Sequence, residues 1–282
     1  MQTLDITLKQ DQKAYFVSDF HLGTPSYEES RERERKIVAW IEEHRAEMGA
    51  LFLLGDVFDY WFEYRYTVPK GNVRLLGKLA ELTDAGVPVY FFCGNHDAWH
   101  LDFFEKELGI KVMKDLALAT INSRRFVLGH GDGLGAGQHG YKLMPKVFSA
   151  KISHILYAAV HPYWAQKFAS NFSHRSRQSG GRSRAHERDK NRLLVGFMRD
   201  FLKHEPVDAF IFAHRHWPVL AELLPQGGAK DSLDDTRICR DNRSELRNVL
   251  YLNTGDWLQY FSYGAFDGKT LSLHGQNLKT EL

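Results

Sequence analysis

The stretch Leu51-Phe52-Leu53-Leu54-Gly55-Asp56-Val57-Phe58-Asp59 sets two carboxylates directly after an apolar run. Four other runs are built the same way. Ala14-Tyr15-Phe16-Val17-Ser18 precedes Asp19-Phe20-His21, and Val89-Tyr90-Phe91-Phe92-Cys93-Gly94 precedes Asn95-His96-Asp97. Phe126-Val127-Leu128-Gly129 precedes His130-Gly131-Asp132, and Phe210-Ile211-Phe212-Ala213 precedes His214-Arg215-His216. A continuous apolar run of this length, rich in aromatic and β-branched residues, reads as a strand buried on both faces. Open α/β proteins gather their ligands at the carboxyl edge of the sheet. Five such endings in order therefore describe one site.

Asp19, Asp56, His21, His130, His214 and His216 offer carboxylate oxygens and imidazole nitrogens, and Asn95 offers an amide oxygen. No thiolate is among them, which argues against a closed structural zinc site. Mixed oxygen and nitrogen donors suit Mn, Fe, Co, Ni or Zn, and two ions could share a bridging carboxylate. Two ions roughly 3.5–4 Å apart suit phosphoryl transfer, since such a pair can activate water and neutralise phosphate oxygens. Any one of these residues alone is adequately read as a core or turn residue; seven together are not.

The motifs resemble those of the calcineurin-like metallophosphoesterases, which run D-x-H, G-D-x-x-D, G-N-H-D, G-H and G-H-x-H. Here they appear as Asp19-x-His21, Gly55-Asp56-x-x-Asp59, Gly94-Asn95-His96-Asp97, Gly129-His130 and His214-x-His216. Ala213 stands where the family has glycine before the last pair, at the expected cost of a modest backbone shift. The resemblance implies a four-layer αββα sandwich, and two ion sites. One would hold Asp19, His21, Asp56 and His216, the other Asp56, Asn95, His130 and His214, with Asp56 bridging. His96 would face the phosphoryl group, and Asp97 behind it would fix its tautomer and orientation. Asp59 is expected to be structural or to support the ligands, and Asp132 to be a turn residue. Two divalent ions follow, Mn²⁺ first, with Fe, Co, Ni or Zn compatible.

The 282 residues suffice for one large α/β domain with an insertion. A content of 43% hydrophobic and 26% charged residues is that of an ordinary soluble protein. With 37 Lys+Arg against 35 Asp+Glu, the charge of +2 gives no sign of a polyanion partner. Cys93 and Cys239 cannot form a disulfide framework, so a reducing interior is expected. Residues 1–12 lack the pattern of a signal peptide. No apolar run approaches the roughly 20 residues of a membrane-spanning helix. A cytosolic protein, free or attached to a surface, is expected.

Between the first two strands, residues 27–48 carry Ile37, Val38, Ile41 and Met48 at helical spacing, with Arg31-Glu32-Arg33-Glu34-Arg35-Lys36 as the solvated face. Residues 72–85 repeat this with Val73, Leu76, Leu79 and Leu82, and stop at Gly86. Such β-α-β-α-β alternation predicts parallel pairing. Residues 1–132 and 206–282 are thus expected to form the core, and 133–205 a helical cap insertion. The cap holds apolar helical segments, among them one over about 187–203, and a basic stretch from His174 to Arg184. Arg175 and Arg177 are the first candidates for phosphate contact there, because the guanidinium fork matches phosphate. After His216, residues 226–248 read as a long exposed loop and Val249–Leu252 as a strand. Asp256 reads as a turn residue, and Phe261 to Leu273 as a closing hairpin.

Phe16-Val17-Ser18-Asp19-Phe20-His21-Leu22, Gly55–Trp61, the helical insert and His214-Arg215-His216-Trp217-Pro218 resemble one branch of the superfamily, the UDP-2,3-diacylglucosamine diphosphatases of lipid A synthesis. That branch implies water attack on the α-phosphorus of UDP-2,3-diacylglucosamine, giving UMP and 2,3-diacylglucosamine 1-phosphate. It implies acyl chains held by the insert, and peripheral attachment to the inner face of the cytoplasmic membrane. The best-known enzymes of the branch carry Arg where this chain has His96. Two alternatives stand beside this reading. A phosphoesterase for another nucleotide, a phosphodiester or nucleic acid would, for nucleic acid, call for a basic track with exposed aromatics. A non-enzymatic module should have lost ligands. No nucleic acid and no obligate protein partner are expected.

Overall fold

A computed structural model describes residues 1–134, 151–162, 164, 194–224, 236–276 and 278. The strands, in chain order, are β1 (Gln2–Ile6), β2 (Lys13–Val17), β3 (Met48–Leu53), β4 (Val89–Phe92), β5 (Lys111–Met113), β6 (Ala117–Ile121) and β7 (Arg124–Leu128). They continue with β8 (Ala209–Phe212), β9 (Val219–Leu223), β10 (Thr236–Ile238), β11 (Arg243–Glu245), β12 (Leu250–Asn253), β13 (Tyr263–Phe266) and β14 (Thr270–His274). Two seven-stranded sheets result, in the orders β11-β14-β13-β2-β3-β4-β5 and β1-β6-β7-β8-β12-β9-β10. The five ligand-bearing runs are strands as expected, but divided: β2, β3 and β4 lie parallel in the first sheet, and β7 and β8 parallel in the second.

Two-faced burial of these strands follows from the layers. Phe16, Phe52, Phe126, Ile211, Leu252 and Phe266 meet between the sheets. The outer face of the first sheet is covered by helices α1 (Tyr27–His44) and α2 (Val73–Asp84), which contribute Ile37, Trp40, Ile41, Leu75, Leu79 and Leu82. The outer face of the second is covered by a helix at residues 194–202, expected within the cap but packed here as a core layer, through Leu194, Val195 and Met198 against Phe210 and Phe212. These are the four layers αββα. No helix among the described residues is long and apolar enough to cross a membrane.

Several local expectations are corrected. Met48 opens β3 rather than closing α1, because a 3₁₀ turn at Arg45–Glu47 ends the helix first. Arg33 and Glu34 are buried, not solvated. Arg33 Nη2 donates to the carbonyls of His21, at 2.9 Å, and Thr24. Glu34 Oε1 accepts the N–H groups of Arg74, at 2.8 Å, and Leu75, at 3.2 Å. It thereby caps α2, whose own Asn72 makes no side-chain cap. Val73 is exposed, and Leu75 takes its expected place inside. Within 226–248, β10 and β11 are strands rather than loop, and Cys239 and Leu246 are buried. The closing hairpin is β13–β14.

Within residues 133–205, α3 (Lys151–Ala158) is helical. His154 and Tyr157 rest on Phe62, with ring centroids 4.6 and 4.7 Å apart, and Tyr157 also meets Trp99 at 4.8 Å, which seats the helix on the segment after β3 and on the one after His96. The basic stretch with Arg175 and Arg177 lies outside the described residues.

Candidate metal centre

Every candidate ligand follows a strand end, and the carboxyl ends of β2, β3 and β4 meet those of β7 and β8. Turning sharply there demands unusual backbone. Asp19 (φ +52°), His21 (+44°), Asp56 (+52°), His214 (+67°) and His216 (+55°) all take the left-handed region, so five of the seven candidates do. Such residues cost about 1–3 kcal/mol each and persist where a site over-determines them. Two glycines permit the close approach. A Cβ on Gly55 would come within 2.6 Å of His130 Nδ1, and one on Gly94 would collide with the Asp56 carboxylate. Ala213 takes no left-handed φ, so its methyl meets no backbone strain there. The turn is taken one residue later, by His214.

The side chains converge in two groups. Asp19, His21 and His216 form one, and Asp56, His130 and His214 the other; within each, the ligand atoms lie within 4.8 Å of one another. His216 Nε2 is 3.2 Å and His21 Nε2 3.7 Å from Asp19 Oδ1. Asp56 Oδ2 stands between the groups, 3.3 Å from His130 Nε2 and 3.7 Å from His21 Nε2. Asn95, at the exposed rim, brings Oδ1 to 3.3 Å from His130 Nε2.

The donor set fits metal ions on its own terms. His21 Nε2 and His216 Nε2 face each other at 3.3 Å, as do His130 Nε2 and His214 Nδ1 at 3.2 Å. Asp19 Oδ1 is buried without a hydrogen-bond partner. Converging imidazole nitrogens beside an orphaned carboxylate oxygen are satisfied together by a shared cation. The charge balance agrees. Burial, with His130 nearby, pushes His214 down to about 3, which keeps the ring neutral as a metal ligand must be. Against burial, His216, His21 and His130 hold the Asp19 carboxyl down at about 2. His130 and His96 likewise hold Asp56 well below the usual range. His21 is held up at about 10, where Asp19, Asp59 and Asp56 outweigh burial. The carboxylates are thus charged and demand positive partners.

His96 is half-buried beside this centre. Its Nδ1 lies 3.1 Å from the Asp59 carbonyl and 3.6 Å from Asp59 Oδ1, and its ring packs edge-on against His21. Asp59, not Asp97, therefore orients it. Asp97 instead accepts four backbone N–H groups: Asp56 at 3.2 Å and Gly94 at 2.8 Å on Oδ1, Val57 at 2.7 Å and Phe58 at 3.2 Å on Oδ2. The expectation of Asp97 as a catalytic partner of His96 is corrected accordingly. Its carboxylate is saturated by the two loops that carry Asp56 and Asn95. Asp132 lies in a turn after His130, as expected.

One neighbour of the centre escaped the sequence reading. Asp256, read as a plain turn residue, is fully buried with Oδ2 3.1 Å from His216 Nδ1. The signal was present: Thr254-Gly255-Asp256 after β12 repeats the strand-Gly-Asp pattern of Leu54-Gly55-Asp56 after β3.

Residues 13–218 match the family described as calcineurin-like phosphoesterase. A UDP-2,3-diacylglucosamine hydrolase of Porphyromonas gingivalis is 38% identical over 274 residues, covering 93% of this chain and 96% of the relative. Its namesake in Edwardsiella ictaluri is 27% identical, over 92% of this chain and 90% of the relative. That of Stenotrophomonas maltophilia (strain K279a) is 26% identical, over 86% and 95%.

Proposed function

The chain belongs to the calcineurin-like phosphoesterases, and from that premise we propose that it cleaves UDP-2,3-diacylglucosamine by water attack at the α-phosphorus. The products would be UMP and 2,3-diacylglucosamine 1-phosphate. The observation that carries this reading is the extent of the likeness to UDP-2,3-diacylglucosamine hydrolases, which takes in 93% of the chain where the broader family takes in residues 13–218.

The chain is a metal-dependent phosphoesterase, and its His and Asp groups suit a dinuclear site. Two divalent ions, Mn²⁺ or another that oxygen and nitrogen donors without sulfur accept, would supply Lewis acidity and an activated water. Asp19, His21 and His216 would hold one, and Asn95, His130 and His214 the other. Asp56, whose Oδ2 lies 3.7 Å from His21 Nε2 and 3.3 Å from His130 Nε2, would be shared by both. His96, its Nδ1–H directed at the Asp59 carbonyl, would in its imidazolium form donate from Nε2 to the phosphoryl oxygens or to the departing sugar phosphate. Arg175 and Arg177 would contact phosphate, the stretch from residue 133 up to the helix at 194–202 would receive the acyl chains, and the protein would work at the inner face of the cytoplasmic membrane.

Metal-free protein given back Mn²⁺ should release UMP from UDP-2,3-diacylglucosamine and leave UDP-glucosamine uncut. Cleavage of a generic phosphodiester, with neither nucleotide sugar touched, would transfer the centre to another substrate.

A further inference from the structure

Asp256 lies outside the stretch shared with the broader family and 40 positions from the histidine it meets. Its carboxylate is held firmly. Oδ1 accepts the N–H groups of Leu258 at 3.1 Å, Gln259 at 2.8 Å and Tyr260 at 3.2 Å, so it caps the turn that follows. The same segment is tied to the ligand-bearing end of β2. Trp257 N donates to the Asp19 carbonyl at 3.2 Å, and the hydroxyls of Ser18 and Thr254 meet at 2.6 Å. Gly255 lies so close to Pro218 that a Cβ would approach its ring to 2.8 Å. Oδ2 is therefore presented to His216 from a fixed position.

A carboxylate oxygen can only accept, so the proton of a neutral His216 must sit on Nδ1. That leaves the Nε2 lone pair aimed at Asp19 Oδ1 and His21 Nε2. We infer that Asp256 is a positioning residue: by fixing the tautomer and ring direction of His216, it sets the metal affinity of the Asp19/His21/His216 half without touching substrate. Carboxylates behind metal-bound histidines act in this way, and their loss costs about 10–100-fold in affinity. The inference rests on the two-ion reading above.

Asp256→Asn tests it. The amide oxygen can still accept from residues 258–260, while its NH₂ faces His216 Nδ1 and drives the proton to Nε2. Calorimetric titration of the metal-free proteins with Mn²⁺ should show two ions in the wild type. In the variant, one of the two should weaken by about 10–100-fold while the other keeps its affinity. The melting temperature of the metal-free variant should stay near that of the wild type. Two ions bound with unchanged affinity would overturn the positioning role alone. Fewer than two in the wild type would overturn the two-ion reading, and the inference with it. Should the variant fail to fold, zinc-loaded wild type decides: the His216 Nδ1 proton should appear as a slowly exchanging low-field NMR resonance, and its absence would overturn the inference.

Discussion

The two sheets hold their shares of the centre by different means. At the ends of β3 and β4, the buried Asp97 collects four backbone N–H groups and so clamps main chain to main chain. At the end of β8, Asp256 reaches a side chain, the ring of His216, from a distant segment. The first arrangement fixes where two loops run, and the ligands on them follow. The second leaves the loop to the strand and directs one imidazole. Damage to the first should therefore appear in folding and in both halves of the centre; damage to the second should be confined to one ligand.

The largest effect should come where both halves meet. Asp56→Ala is expected to abolish turnover and to leave metal analysis with neither ion retained; near-normal activity in metal-replete protein would contradict a bridge. Asp97→Ala comes next and sharpens the contrast. Each buried N–H left without an acceptor costs about 1–3 kcal/mol, so with four exposed, thermal denaturation should show a loss of at least about 3 kcal/mol. Metal affinity should fall in parallel, and a variant of wild-type stability would remove Asp97 from the clamp. His96→Ala should lower kcat by about 10²–10⁴-fold, with metal content measured by atomic absorption unchanged; parallel metal loss would make His96 a ligand. The smallest change belongs to the β8 side. Ala213→Gly should leave the metals in place and cost at most about 1 kcal/mol in a denaturant melt, since Ala213 already has ordinary backbone geometry.

The sequence disclosed most of the centre, because a ligand at a strand end is marked by the apolar run before it. Asp19, Asp56, Asn95, His130, His214 and His216 each carry that mark. What it withheld depends on contacts distant in the chain. Glu34 stands three residues before Ile37 and seven before Ile41, on the apolar face of α1, but nothing local says that its carboxylate caps α2, 40 residues on. Asp97 and Asp59 are both carboxylates near His96, and only packing decides which meets its ring. The division of five similar strands between two sheets is likewise a matter of pairing, which runs of equal hydrophobicity cannot encode. Val73 and Leu75 differ by half a helical turn, and spacing alone chose the wrong one.

The left-handed backbone at Asp19, His21, Asp56, His214 and His216 has a consequence for anyone redesigning the chain. Glycine adopts that conformation without penalty, so a search for thermal robustness alone would write glycine at these five positions. Each replacement would relax the apo fold and erase a proposed metal ligand. Robustness and activity therefore pull in opposite directions at the same five codons, and any variant library from this chain must hold them fixed before it is selected for heat resistance.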